Sequence, residues 1–157
     1  MDYNNFISQK IYSGNPQQVL NKDVDDSVFN IGEYSLNDLF FLFGEIEISF
    51  TLYNVMFSEY LLKHEVEAED YNINNVIGEL GMYKLNVSES ISKIQDIDAD
   101  SSEYTRSIYH LKKDLIIFTY AILYTIEYLF NYIIKDEMEI KKLQYVQEKI
   151  NLLLNQL

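Results

Sequence analysis

The chain has 157 residues, enough for one domain with a buried core, and its hydrophobic content of 48% excludes a disordered protein. A net charge of −13 with a single arginine, Arg106, argues against direct binding to a nucleic-acid backbone. The chain has no cysteine, which excludes disulfides, thiolate nucleophiles and cysteine-based zinc sites. The acidity fits plain solubility, and it also fits a partner protein with a basic surface.

Residues 1–35 are predicted to form an irregular N-terminal arm, mixed and acidic in sequence, that lies over the rest of the fold. No helical period is sustained there apart from one short segment near Gln17–Leu20. Gly14, Pro16 and Gly32 favour turns in this region. The first ten residues lack the basic and apolar segments of a signal peptide, so we expect a cytoplasmic protein.

Residues 36–157 are predicted to form an all-α bundle of about four helices. Apolar residues recur at three- and four-residue steps through every long segment of this region. The first helix begins at Ser35, where Asp38 nearly completes a capping box. Gly44 lies inside this helix, and the close approach of another helix is its expected reason. A second helix is expected over about residues 75–97.

The segment from Asp114 to Lys135 is apolar almost all round, which predicts a helix that is covered on every side. We interpret this helix, about 102–135, as the hub of the bundle. A carboxylate at the centre of a bilayer, here Glu127, costs about 2.5–3.5 kcal/mol, so a buried helix is favoured over a membrane span. A last helix follows Asp136, either as a hairpin or as the second half of one kinked rod.

Four tyrosines recur along the hub helix at four-residue spacing: Tyr120, Tyr124, Tyr128 and Tyr132. Each step of four rotates about 40° further round a helix, so the tyrosines cover a wide face. Tyrosine suits surfaces that are half apolar and half wet. Two interpretations therefore remain open. The tyrosine face binds a partner or a second copy of the chain, or it is a buried flank of the core.

Glu127 lies in the same helix between apolar neighbours on both sides. A buried carboxylate needs a partner or a raised pKa. Lys84, His64 and a tyrosine hydroxyl are candidate partners for it. A position at a solvent-facing gap is the favoured interpretation.

The acidic segment between the first two helices is the second candidate for partner binding. It contributes Glu65, Glu67, Glu69, Asp70 and Tyr71. Carboxylates would steer association with a basic surface, and the aromatic side chain would supply a desolvated anchor. Mimicry of a nucleic acid is a variant of this hypothesis, although the acids are spread along the chain and no helix carries a dense row of them.

Motifs for catalysis, metal binding or cofactor binding are not found. His64 and His110 lack the spacing of metal ligands, and no Glu-x-x-His pair or HExxH motif is present. No G-x-S-x-G elbow surrounds a serine. We therefore expect no catalytic residues, no metal and no cofactor.

One pattern resembles, in its rhythm, an enzyme family. All-α nucleoside triphosphate pyrophosphohydrolases bind magnesium through an E-x-x-E pair on one helix and an E-x-x-D pair on the next. Glu79, Glu89 and Asp114 fall near suitable places in GELGMYKLNVSESISKI and HLKKDLIIFTYAIL. Met82 replaces the second acid of the first pair and Leu111 the first acid of the second pair, which removes half of the converging carboxylates that magnesium needs.

These observations favour a non-enzymatic protein-binding module. Asn, Ile, Lys and Tyr are abundant, and their A/T-rich codons are typical of a low-GC genome or a mobile element. We expect an acidic helical inhibitor, immunity or adaptor protein of phage or mobile-element type that binds a basic surface of a partner protein. The alternative is a divergent all-α, magnesium-dependent enzyme similar to the nucleotide pyrophosphohydrolases.

Overall fold

A computed structural model describes residues 2–13, 36–64 and 73–157. Within these ranges the chain forms five α-helices and no strand: α1 (Tyr3–Ser13), α2 (Leu36–Lys63), α3 (Ile73–Ile94), α4 (Ser102–Tyr132) and α5 (Glu137–Asn155). The all-α bundle predicted from the apolar periodicity is confirmed. Four of the helices lie after residue 35, and α1 is an additional helix before them. The division into two regions at residue 35 stays a prediction.

The hub of the bundle is α4, because α1, α2, α3 and α5 all pack against it. Leu115, Ile122 and Ile126 lie at its centre and have almost no exposed surface. Ser101 is the N-cap of α4, and its side-chain oxygen accepts the backbone N–H of Tyr104 at 3.1 Å. This cap satisfies one of the free N–H groups of the first turn.

The long helices alternate in direction. Phe43, near the start of α2, packs against Phe118, and the end of α2 meets Ile134 just beyond α4, so these two helices run parallel. α3 runs the opposite way, because Ser90 near its end bonds to Asp114, whereas Val76 near its start lines a groove together with Ile122, further along α4. α2 and α3 are therefore antiparallel neighbours on α4.

The last helix folds back on the bundle, which settles the choice between a hairpin and a kinked rod in favour of the hairpin. Asp136, at the start of α5, lies beside the end of α2, while Lys149 near the end of α5 is 3.9 Å from Glu45 near the start of α2. The Asp136 carboxylate accepts the N–H groups of Met138 and Glu139, at 2.9 and 3.2 Å, and so caps α5.

The prediction that residues 1–35 sustain no helical period is wrong for α1. Tyr3, Phe6, Ile7 and Ile11 form its buried side. An isolated helix of 11 residues is marginal in water, so this one depends on packing against the bundle. The short helix predicted near Gln17–Leu20 lies outside the described residues.

The reason given for Gly44 is also wrong. A side-chain carbon at Gly44 would have no atom of the described structure within 4 Å, so no helix approaches it closely.

Candidate docking surfaces

The tyrosine face of α4 is covered by α1 at Tyr128. Tyr128 has no exposed surface, and its ring centroid lies 5.4 Å from those of Tyr3 and Phe6. Thr125 donates its own hydroxyl proton to the Ala121 carbonyl, so the Tyr3 hydroxyl donates to Thr125 at 2.9 Å. Tyr128 is therefore part of the core.

The remaining tyrosines are more accessible. Tyr120 and Tyr124 are half-buried and stack on each other with ring centroids 5.9 Å apart. Tyr132 packs edge-on against Phe6 at 6.0 Å and keeps 45% of its surface exposed. A partner-binding role for the tyrosine face stays a prediction, and Tyr132 is the most exposed of the four tyrosines.

Glu127 is partly exposed and forms an ion pair with Lys10 of α1 at 2.9 Å. The Lys10 ammonium group also lies 5.6 Å from the Phe6 ring and 5.9 Å from the Tyr124 ring. The partner of Glu127 is therefore neither Lys84 nor His64, which were candidates from sequence. An exposed pair of this kind contributes about 0–1 kcal/mol, so it fastens α1 only weakly.

The acidic segment predicted to bind a partner lies outside the described residues. Its members are Glu65, Glu67, Glu69, Asp70 and Tyr71. Their role stays a prediction.

A surface that the sequence analysis missed lies on the outer side of α2. Phe41, Ile48, Val55 and Leu62 follow one another at seven-residue steps and are 64%, 60%, 44% and 82% exposed. Seven residues are close to two helical turns, so these side chains form one row along the helix. Sequence periodicity did not separate this row from the buried side of α2, because both sides are apolar.

A parallel row lies on α5. Met138, Tyr145 and Leu152 are also seven residues apart and are 65–70% exposed. Together with Leu52 and Met56 beside the α2 row, the two rows form what we call the α2–α5 face. Its members are Phe41, Ile48, Leu52, Val55, Met56, Leu62, Met138, Tyr145 and Leu152.

An open groove of about 980 Å³ runs between α2 and α5 within this face. Its polar lining is balanced in charge, with three carboxylates and three lysines: Glu59, Asp136, Glu139, Lys63, Lys141 and Lys142. Glu139 is almost fully buried and is 3.2 Å from Lys142. The backbone N–H of Glu139, more than the Tyr60 hydroxyl, holds the pKa of Asp136 below its usual value. Asp136 therefore serves the helix as an ionised cap.

A second groove, of about 180 Å³, lies between α2 and α3, on the other side of α2. Phe118 and Ile122 of α4 are among the residues that line it. We call this the α2–α3 groove; its other apolar and small lining residues are Phe50, Thr51, Val55, Val76, Ile77, Leu80 and Gly81. Lys84 and Glu47, which form an ion pair at 2.5 Å, also line it.

The residues that resembled a magnesium site are not gathered at one place. Burial raises the pKa of Asp114, against the opposing effect of the Ser90 hydroxyl, which donates to its carboxylate at 2.7 Å. Burial also raises the pKa of Glu79, but Glu79 lies about 16 Å along α3 from Ser90. Among the described residues, no three Asp, Glu or His side chains are close enough to hold one metal ion.

By length and composition alone, α2 and α4 could each cross a membrane. The same test is passed by the core helix of a soluble protein, and α4 has that position here. The result is weak support for a membrane location.

Comparison of the chain with protein-family models, with curated proteins and with solved structures found no match. Function is therefore inferred from the surfaces described above.

Proposed function

We propose that this chain is a non-enzymatic protein-binding module, an acidic helical inhibitor, immunity or adaptor protein of phage or mobile-element type. The observation that carries the proposal is the exposed apolar surface around α2. The nine side chains of the α2–α5 face alone expose roughly 900 Å², at about 100 Å² each, whereas the largest apolar patch of a monomeric protein is about 300–600 Å². An apolar patch of this size is typical of a surface that contacts another molecule.

The α2–α3 groove is the part of this surface that fits a foreign partner. It is narrow and largely apolar, with aromatic and branched side chains among its lining, and amphipathic helices bind in grooves of this kind. Gly81 lines it and leaves room, since a side-chain carbon there would meet no atom within 4 Å. The chain's net charge of −13 then selects a helix with basic residues beside its apolar side.

No observation on the described residues favours the alternative, a magnesium-dependent pyrophosphohydrolase-like enzyme. Asp114 bonds to Ser90, and Glu79 lies near the other end of α3. Two carboxylates at that separation cannot share an octahedral magnesium ion.

Two glycines of α3 allow a matched test of the groove. Gly81→Gln would place a side chain in the α2–α3 groove, whereas Gly78→Gln would place the same side chain on an exposed part of the same helix. Neither meets a neighbouring atom, and replacing a helical glycine stabilises a helix by about 0.5–1 kcal/mol, so both variants fold. We expect Gly81→Gln to lose the proteins that the tagged wild type captures from its native host, and Gly78→Gln to retain them. Equal capture by both variants would exclude the groove.

The charge component of the proposal has its own test. Association with a captured partner should slow as salt is added, because the Debye length falls from about 30 Å at 0.01 M to about 3 Å at 1 M. Neutralising Glu65, Glu67, Glu69 and Asp70 should lower the on-rate, and Tyr71→Ala should raise the off-rate. A partner that binds equally well across this salt range and is indifferent to both changes would show that the acidic surface is only solvated.

A further inference from the structure

We propose that the α2–α5 face joins two copies of this chain into a symmetric dimer. This goes beyond the binding of a foreign partner and uses the other side of α2, with Val55 at the boundary between the two surfaces. The occupant is inferred from three properties of the face: its pattern, its charge and its area.

The apolar row of α2 is complementary to itself. Phe41 and Leu62 are placed symmetrically about the point between Thr51 and Leu52, and so are Ile48 and Val55. If a second copy of α2 lies antiparallel across that point, Phe41 faces the partner's Leu62 and Ile48 faces the partner's Val55. A two-fold interface requires this property, because the same patch must fit itself.

The row on α5 extends the contact to four helices. Met138, Tyr145 and Leu152 repeat at the same seven-residue interval as the α2 row, and α5 is antiparallel to α2. A seven-residue apolar repeat is the period at which side chains of neighbouring helices interdigitate along their length. Two copies of the α2–α5 pair can therefore pack as a four-helix arrangement.

Charge distinguishes a second copy from a basic partner at this face. The chain carries −13, but the groove in the face is lined by three carboxylates and three lysines. Two copies repel each other over most of their surfaces and least where the local charge is balanced. The balanced carboxylates and lysines of the groove would give a basic partner no net electrostatic attraction, so the charge of this face does not favour such a partner.

The exposed area of the α2–α5 face is sufficient for a stable dimer. A stable interface buries about 800 Å² on each partner, and the exposed apolar side chains of the face supply roughly 900 Å². Phe41, Leu62, Met138, Tyr145 and Leu152 each expose more than three-fifths of their surface and would be covered together.

The test is sedimentation velocity of the full chain over a range of protein and salt concentrations. We expect a reversible equilibrium between monomer and dimer that shifts toward dimer as salt is added, because salt screens the repulsion between two chains of charge −13. This is opposite to the salt dependence expected for a basic partner. Added salt should strengthen self-association and weaken the binding of a basic partner. The direction of the salt effect therefore tests the dimer separately from the proposed function.

Substitutions at exposed positions locate the interface. Ile48→Glu and Tyr145→Glu should each raise the dissociation constant by at least about tenfold, equivalent to about 1.4 kcal/mol. Both side chains are at least 60% exposed in the monomer, so neither change unfolds it. Leu85→Glu on α3, at a side chain 56% exposed, is the matched control and should leave the equilibrium unchanged.

Three results would overturn the inference. The first is a chain that remains monomeric at every protein and salt concentration. The second is a dimer that Leu85→Glu dissociates as well as Ile48→Glu does, which would place the interface elsewhere. The third is a monomer that binds phosphatidylcholine vesicles through Ile48 and Tyr145, which would assign the face to lipid.

Discussion

α2 and α4 have similar apolar character in sequence but different environments in the fold. Each contains a window apolar enough to cross a membrane, yet 56% of that window is buried in α4 and 39% in α2. Among the described residues, α4 packs against four helices, while α2 packs against α3, α4 and α5 and keeps an open outer side. Hydropathy therefore reports how much apolar surface a helix carries, whereas topology decides how much remains for other molecules.

The largest expected effect is a difference in the free energy of unfolding between a substitution in α4 and a substitution in α2. Ile122→Asp buries an unpaired charge in α4, where Ile122 is 1% exposed, and should destabilise the fold by about 3–5 kcal/mol. Leu52→Asp, at a side chain 60% exposed on α2, should change the free energy of unfolding of the monomer by less than about 0.5 kcal/mol. Urea denaturation of both variants measures the difference. Similar losses at the two positions would mean that the outer side of α2 is already covered.

A second prediction concerns the cover that α1 provides for α4. Phe6 is buried against Tyr128 and Tyr132, so Phe6→Ala should cost about 3–5 kcal/mol. Tyr12 is on the same helix but 65% exposed, and Tyr12→Ala should cost less than about 1 kcal/mol. Thermal denaturation compares the two. An equally small effect of both changes would show that α1 does not stabilise the bundle.

The smallest effect concerns pH. Burial raises the pKa of Asp114 in the folded state, so its contribution to stability is present at low pH and is lost as the pH rises through that pKa. Asp114→Asn should therefore raise the melting temperature at neutral pH and have little effect at a pH below the ordinary range of a carboxyl group. A melting temperature of Asp114→Asn below that of the wild type at neutral pH would contradict the raised pKa of Asp114.

The sequence was sufficient to predict the main features of the fold. The apolar period after residue 35 predicted α2 to α5, and the absence of a polar side between Asp114 and Lys135 predicted the hub. These features are local and repeat over many turns, so the prediction does not depend on knowing which helix packs against which.

Other features depend on contacts between distant parts of the chain. The apolar side of α1, formed by Tyr3, Phe6, Ile7 and Ile11, has helical spacing, but the helix has only 11 residues and depends on packing against α4. The hairpin between α4 and α5 carries no Gly or Pro, and its turn is fixed by the Asp136 cap and by packing on α2.

The candidate surfaces were predictable only in part. The four-residue spacing correctly predicted that the tyrosines lie along one helix, but the sequence did not show that Tyr128 would lie under Tyr3 and Phe6. The seven-residue interval of Met138, Tyr145 and Leu152 was visible in sequence and, with the parallel row on α2, could have indicated an exposed interface.

The central claim is that the apolar surfaces beside α2 contact other protein molecules, and site-specific photocrosslinking in the native host tests it most directly. A photoreactive residue would replace Ile77 in the α2–α3 groove, Tyr145 on the α2–α5 face, or Glu103 at an exposed polar position of α4. We predict a product with a foreign protein from position 77, a product of twice the monomer mass from position 145, and no discrete product from position 103. The same faint background from all three positions would contradict the claim.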